Sequence, residues 1–121
     1  MNRFRTCAVT LSAGLLTISL PATAHHSFAM FDQSKVTERK GVTVVRFQWA
    51  NPHVFLVVKS GGETFALECN GPSNMAKAGW KFNTLKAGDK VDISFFPLRN
   101  GKPGGALKIA TLAGGKKLDA W

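Results

Sequence analysis

Five short runs rich in apolar, β-branched and aromatic residues follow one another along most of the chain. In the first run, 38–48, the apolar pattern changes phase, because Val42 and Val44 fall on one face and Val45 and Phe47 on the other. Since side chains of a strand alternate between two faces, this change predicts a β-bulge or a strong bend. The remaining runs end at turns rich in glycine or proline and cover 54–59, 64–69, 91–96 and 106–112. The pattern predicts five short strands.

A short helix is predicted between the third and the fourth strand. Residues 72–78 begin with Pro72 and are followed by Gly79, which is typical of the two ends of a helix. The order of elements is therefore three strands, one helix and two strands. This order predicts an all-β fold, namely a small β-barrel resembling an OB-fold, with the helix between strands three and four. An open β-sandwich is the alternative.

Two glycine-rich segments are predicted to lie outside the strands. Residues 99–105 (RNGKPGG) are expected to form a flexible polar loop, in which Arg99 and Lys102 are candidates for gripping an anion. A plain hairpin loop is favoured, because the segment lacks the strand–loop–helix context of a nucleotide-binding loop. Gly114-Gly115 is expected to form a turn that leads into a basic tail.

Residues 1–24 have the features of a cleavable export signal. Arg3 and Arg5 precede an uncharged, mostly apolar run, Cys7 to Leu20, which is shorter than the about 20 residues that cross a bilayer. Pro21 follows, and then Ala22-Thr23-Ala24 provides small residues where a signal peptidase requires them, which favours cleavage after Ala24. A membrane anchor that is never cut is the alternative.

Cleavage would leave residues 25–121, which are expected to form one periplasmic domain with an amino-terminal arm, residues 25–35, packed on it. The formal net charge would fall from +9 to +7, because two arginines are lost. Such a charge favours anionic partners, and an exported protein is expected to meet acidic polysaccharide or lipid headgroups rather than nucleic acid. The basic residues are scattered, however, as on an ordinary solvated surface. The sequence does not indicate an oligomeric state.

The predicted amino terminus carries a candidate metal site. His25 would offer its α-amine and its ring Nδ1 to one metal ion, and His26 or His53 would supply a third nitrogen. Exported copper proteins whose first mature residue is histidine use this arrangement, and these nitrogen ligands suit Cu(II) better than Zn(II) or Ni(II). The alternative is that the histidines follow the cleavage point by chance. Cleavage one or two residues away would remove the chelate.

The segment Trp49-Ala50-Asn51-Pro52-His53 separates the first two strands. Pro52 restricts the backbone there, and His53 begins the second strand as a metal ligand or as a polar contact in a cleft lined by Trp49. The favoured alternative places Trp49 in the core and bonds His53 to a turn carbonyl. A second hypothesis is a surface for an anionic glycan or lipid headgroup, built from Trp49, Asn51, Trp80, Lys81 and Arg99.

Catalytic motifs are missing from the sequence, which contains no GxSxG, no HExxH and no pair of CxxC. His53, Glu68 and Cys69 can be neighbours on adjacent strands, but their spacing does not require a nucleophile. The chain is therefore predicted to be a binding module and not an enzyme. Cys69 would be the only cysteine left, and its alternation with Leu67 predicts a buried thiol. A structural or interaction protein, linked through Cys69 in a dimer, is the third hypothesis.

Several motifs together resemble a family of small exported bacterial proteins known as a domain of unknown function. The matching motifs are His25-His26-Ser27-Phe28, Phe31-Asp32, Gly41-Val42-Thr43, Phe47-x-Trp49-x-Asn51-Pro52-His53, Gly79-Trp80, Leu85-Lys86-x-Gly88-Asp89 and Pro97-Leu98-Arg99-Asn100-Gly101-x-Pro103-Gly104-Gly105. The resemblance covers residues 25–118. It implies a signal peptide, a single β-rich domain and a periplasmic location, and it implies no activity.

Overall fold

The computed structural model describes residues 28–121, so the predicted export signal, His25 and His26 lie outside the described residues. The elements are a 3-10 turn (Phe28–Met30), β1 (Thr37–Gln48), β2 (Phe55–Ser60), β3 (Glu63–Glu68), α1 (Pro72–Lys77), β4 (Lys90–Pro97), β5 (Gly104–Thr111) and β6 (Lys117–Asp119). The five predicted strands and the helix are confirmed, with ends that differ by at most two residues. Within the described part of the chain, no helix is long and apolar enough to span a bilayer.

The first five strands close into a mixed barrel. β1 pairs antiparallel with β2 and β4, β2 pairs with β3, and β4 pairs with β5. A parallel pairing of β3 with β5, from Ala66–Gly104 to Glu68–Ala106, then closes the sheet. Around the barrel the order is β1-β2-β3-β5-β4, as the predicted OB-like topology requires, and the open sandwich is excluded. Closure pairs strand edges that would otherwise be exposed to other chains.

The phase change in β1 corresponds to two irregularities in its pairing. The register against β4 shifts between Arg39 and Val42, and the register against β2 shifts between Val44 and Arg46. Val42 and Val44 therefore face the core, whereas Val45 is 47% exposed. The predicted bulge is confirmed, and it lets one long strand belong to both halves of the barrel wall.

The core is made of apolar side chains from every wall of the barrel, and no buried residue among 28–121 is polar or charged. Its fully buried large members are Val42, Val44, Val54, Leu56, Val58, Leu67, Cys69, Met75, Trp80, Phe95 and Leu107. Met75 and Trp80 show that α1 and the segment after it cover one end of the barrel.

The prediction that residues 99–105 form one flexible loop is wrong at its end. Gly104 and Gly105 are buried and begin β5, where Gly105 pairs with Pro97 of β4 and with Leu67 of β3. A Cβ atom at Gly105 would lie 2.2 Å from the carbonyl oxygen of Phe96. This glycine therefore allows the strands of the barrel wall to pack closely, although the residues around it in the sequence resemble a turn.

The predicted turn at Gly114-Gly115 is present, but the basic segment after it forms a sixth strand that the pattern did not predict, β6, on the open edge of β5. Leu118 and Ala120 are buried. The Ala120 amide donates to the Lys108 carbonyl, and the Asn70 amide donates to the Ala120 carbonyl. The chain end thus fills the gap between β5 and the segment that follows β3. A strand of three residues with a single apolar side chain has no periodicity that the sequence could reveal.

Candidate metal-binding site

The hairpin of β2 and β3 determines the surroundings of His53. Gly61-Gly62 has positive φ at both residues, 56° and 87°, as a tight two-residue hairpin turn requires. Pairing then runs without a shift to Phe55 opposite Glu68. It continues beyond the strand ends, since Val54 and the segment after β3 exchange backbone hydrogen bonds. His53 consequently lies diagonally across from Glu68, within reach of its side chain.

His53 and Glu68 form a hydrogen-bonded pair at the edge of the barrel. The ring Nδ1 of His53 contacts Oε1 of Glu68, and the two side chains are 29% and 13% exposed. An ionised carboxylate only accepts hydrogen bonds, so Nδ1 carries the proton of this contact. In a neutral ring the lone pair then lies on Nε2, which is the form of histidine that binds a metal.

Two further aromatic rings complete this corner. The ring of Trp121 lies edge-on to the ring of His53, with centroids 5.7 Å apart. The ring of Phe28 lies edge-on to the ring of Trp121, with centroids 4.5 Å apart. The two ends of the described chain, Phe28 and Trp121, therefore contact each other, and Trp121 also contacts His53. The group of His53, Glu68, Trp121 and Phe28 is called the terminal cluster below.

The described part of the arm is fastened to the loop between β4 and β5. Phe31 is buried and pairs with Leu98 in an isolated β-bridge, and the Asp32 amide donates to the Pro97 carbonyl over 2.8 Å. The Ser34 hydroxyl donates to the Asp32 carboxylate and holds the pKa of that group below its usual range. The arm therefore packs on the body of the protein up to Phe28.

Arg99 contacts the amino-terminal arm, which was not expected for an anion-binding residue. Its Nε donates to the Ala29 carbonyl over 3.0 Å, and its amide donates to the Met30 carbonyl over 2.9 Å. The Lys102 amide donates to the side chain of Asn100 within the loop. The segment is a hairpin loop that secures the arm, which agrees with the favoured alternative.

The proposed glycan-binding or lipid-binding surface is not assembled as predicted. Trp80 is 1% exposed, and its Nε1 donates to the Asp119 carbonyl over 2.6 Å, so its predicted place on a surface is wrong. Trp49 is half-buried and joins Phe47, which in turn contacts Trp80 at 5.6 Å between ring centroids. These rings form one aromatic row that continues the core. The amphipathic indole is equally suited to a surface or to an interior with a carbonyl partner.

The other predicted contacts of that surface are exposed. Asn51 lies in the turn before His53, where its peptide bond to Pro52 is cis, and Lys81 follows the buried Trp80. Neither residue belongs to the terminal cluster. The predicted ligand residues are thus divided between an aromatic row in the core, an exposed turn and the loop that holds the arm.

Cys69 is fully buried, as predicted from its alternation. Burial raises the pKa of its thiol to about 12, and the charge of Glu68 acts in the same direction. At pH 8 the thiolate fraction is lower than that of an ordinary cysteine by roughly a factor of 1000. We expect a disulfide reagent that releases a coloured thiolate to react with Cys69 slowly in native protein and rapidly in guanidinium chloride. Equal rates in both solutions would contradict the burial. A dimer linked through Cys69 is not compatible with this position.

The terminal cluster was only partly accessible to sequence reasoning. The contact of His53 with Glu68 follows from a two-residue turn and constant pairing, so the hairpin itself contained the signal. No local signal indicated Trp121. Within residues 28–121, no group of three or more histidine, cysteine, aspartate or glutamate side chains could hold a metal ion. A complete site at His53 would need ligands from the preceding histidines, His25 and His26, which lie outside the described residues.

No curated protein and no solved structure matches this chain. A family model does match it, from residue 12 to residue 108, and so covers most of the signal-like segment's apolar run as well as the barrel up to β5. On this match, the chain belongs to the family of unknown function DUF6152.

Proposed function

We propose that this protein is exported, is cleaved after Ala24 and binds Cu(II) in the periplasm as a binding module without catalytic activity. The proposed ligands are the α-amine and the ring of His25 together with Nε2 of His53, and His26 is the alternative third ligand. One observation carries the proposal. His53 is a partly exposed histidine with a carboxylate on Nδ1, and it lies where the amino-terminal arm reaches the barrel.

The contact with Glu68 supports a ligand role for His53. Histidines that bind a metal commonly donate their second ring nitrogen to a carboxylate, which fixes the ring and makes the ligating nitrogen more basic. Glu68 occupies that position on Nδ1 and is 13% exposed. A histidine that merely capped the turn would bond a backbone carbonyl instead.

The position of Phe28 supports the participation of the preceding histidines. Phe28 is joined to His53 through Trp121, with ring separations of 4.5 Å and 5.7 Å. His26 and His25 precede Phe28 by two and three residues, and a chain of that length spans at most about 7 to 10 Å. The covalent connection therefore allows an amino-terminal chelate and His53 to share one metal ion.

The chemistry of these donors favours copper. An α-amine has a pKa of roughly 8 and loses its proton readily when a metal competes for it. Amine and imidazole nitrogens bind Cu(II) more tightly than the other divalent ions of the first transition row. The proposal thus depends on a free amino group at His25, which only cleavage after Ala24 would create.

The test begins with the intact mass and amino-terminal sequence of the exported protein, followed by Cu(II) titration and EPR of the same material. We expect a start at His25, one tightly bound copper ion and a spectrum with several nitrogen ligands. His53→Ala should weaken binding by about 100-fold or more, since loss of even an outer partner of a ligating histidine typically costs roughly 10- to 100-fold. Glu68→Gln removes such an outer partner, so it should weaken copper binding by roughly 10- to 100-fold.

Glu63→Gln is the matched control, because Glu63 is an exposed glutamate at the other end of β3 and away from His53. Its copper affinity should equal that of the wild type. A start at another residue would refute the proposed site, and so would a spectrum and an affinity that His25→Ala and His53→Ala both leave unchanged. A loss in His25→Ala alone would assign the third ligand to His26.

A further inference from the structure

Basic side chains are concentrated at the end of the barrel that α1 covers. Residues 77–91 and 112–118 together contain six lysines and one acidic residue, whereas the rest of residues 28–121 contains eight basic and six acidic residues. Most of the net positive charge of the described part therefore comes from these two short segments. Their six lysines, called the basic end below, are all exposed: Lys77, Lys81, Lys86, Lys90, Lys116 and Lys117.

The fold brings the two segments together, although they are far apart in the chain. Asp92, just after the first segment, pairs with Thr111, just before the second. A crevice of about 280 Å³ lies between the segments, lined by Lys86 and Lys90 of the first and by Leu112 of the second. Lysines that are scattered along the sequence thus form one basic surface in the structure.

Few carboxylates neutralise the basic end. Nζ of Lys86 lies 2.9 Å from Oδ1 of Asp89, and Nζ of Lys90 donates to the Thr43 hydroxyl. Within residues 28–121, none of the other four lysines has a carboxylate oxygen within 4 Å of its Nζ. The basic end therefore keeps most of its charge for an anionic partner.

One large apolar side chain protrudes beside these lysines. Phe82 is 70% exposed, more than any other large apolar residue of the described part. It lies in a turn in which the Lys81 amide donates to the Thr84 hydroxyl and the Thr84 amide donates to the Lys81 carbonyl. Trp80 and Leu85 are buried and anchor the turn on both sides. The fold itself therefore holds Phe82 out in solvent.

We infer that the basic end docks on a membrane surface of anionic lipids, with its lysines on the headgroups and the Phe82 ring inserted between them. The negative potential of such a surface attracts lysines, and an aromatic ring beside them can bury its apolar faces below the headgroups. An acidic polysaccharide would satisfy the lysines equally well, but it has no apolar layer for Phe82. The basic end and Phe82 act independently of the proposed copper site, because none of these residues belongs to it.

Cosedimentation of the exported protein with vesicles tests this docking. We expect binding to vesicles of equal parts phosphatidylglycerol and phosphatidylethanolamine, little binding to vesicles of phosphatidylcholine alone, and a steep loss of affinity as salt screens the lysines. Phe82→Ala should weaken binding by about 10-fold or more, because the apolar area of the ring is no longer buried. Lys81→Gln and Lys116→Gln should each weaken binding by about 5-fold.

Val36→Ala and Lys102→Gln are the matched controls, because they change an exposed apolar residue and an exposed lysine at the opposite end of the barrel. β4 runs away from Lys90, and Lys102 lies in the loop that follows this strand. Val36 precedes Thr37, which pairs near the same end of β4. Both control variants should bind the vesicles as the wild type does.

A fluorophore that senses polarity, attached to the new thiol of Phe82→Cys, tests insertion directly. Cys69 is buried, so the reagent reacts selectively with the exposed thiol of the variant. With the anionic vesicles, the emission should shift to shorter wavelength. The same fluorophore on Val36→Cys should not respond.

Equal affinity for the two kinds of vesicle, or an unchanged affinity in Phe82→Ala, would overturn the inference. Equal losses in Lys81→Gln and Lys102→Gln would also contradict it, since net charge alone would then attract the protein. Binding to polygalacturonate without binding to vesicles would assign the basic end to an acidic polysaccharide instead. Thermal melting confirms the fold of each variant, and all the substituted residues are exposed.

Discussion

Replacement of Gly105 by alanine is expected to destabilise the barrel by about 3 kcal/mol or more, because the new methyl group has no space. Its Cβ would lie 2.2 Å from the carbonyl oxygen of Phe96 and 2.8 Å from Cδ2 of Phe95. The nearest atom belongs to the backbone of a paired strand and cannot rotate away. Gly105 also pairs with Leu67, so any shift that relieves the clash opens the seam between β3 and β5.

Gly61→Ala is the appropriate comparison, because Gly61 has a φ of +56° and no atom within 4 Å of an added Cβ. It should cost only about 1 to 2 kcal/mol, the usual penalty for a left-handed backbone with a side chain. Urea unfolding followed by tryptophan fluorescence measures both values. Since small domains have about 5–15 kcal/mol of stability, Gly105→Ala should also reduce the yield of folded protein. Equal losses in the two variants would show that the clash is relieved without cost.

Trp80→Ala is expected to lower the free energy of unfolding by about 3–5 kcal/mol, as is usual for removal of a large buried aromatic side chain. Trp80 is 1% exposed and contacts Phe47, and its indole N–H satisfies the Asp119 carbonyl in β6. The substitution therefore leaves a cavity at one end of the barrel and removes a hydrogen bond that holds the last strand. Trp80→Phe should cost less, because most of the ring volume remains while the carbonyl loses its donor.

Chemical denaturation of Trp80→Ala, Trp80→Phe and the exposed control Phe82→Ala tests this order of stabilities. Phe82→Ala should change stability by no more than about 0.5 kcal/mol, as surface substitutions usually do. A Trp80→Ala variant as stable as the control would mean that the residue is not part of the core. A Trp80→Phe variant as stable as the wild type would mean that the bond to Asp119 contributes nothing.

Only the part of the candidate site that lies in one hairpin could be predicted from the sequence. A two-residue turn sets the pairing of β2 with β3, and a count of residues from Gly61-Gly62 brings His53 beside Glu68. Trp121 lies 68 positions away from His53 in the chain, counting from 53 to 121, and no local pattern records their contact. The sequence also suggested that Trp80 lies at the surface. A tryptophan followed by a lysine occurs on surfaces and in cores alike, so this local pattern does not decide between the two.

The sequence by itself determined the strand and helix segments, the bulge in β1 and the buried Cys69, whereas it favoured the closed barrel over an open sandwich only through the order of the elements. These features depend on contacts between near neighbours in the chain, on the two-residue period of strands and on turns that glycine and proline mark locally. The order of elements then left few ways to close the sheet.

Only the tertiary structure decided the roles of the glycines in β5, of β6 and of the terminal cluster. Gly105 is required because two other strands approach it, and β6 pairs with the part of β5 beyond its pairing with β3, where Leu118 and Ala120 are buried. Each of these features depends on the distance between segments far apart in the chain. That distance is set by packing of the whole barrel, and no short stretch of residues contains it.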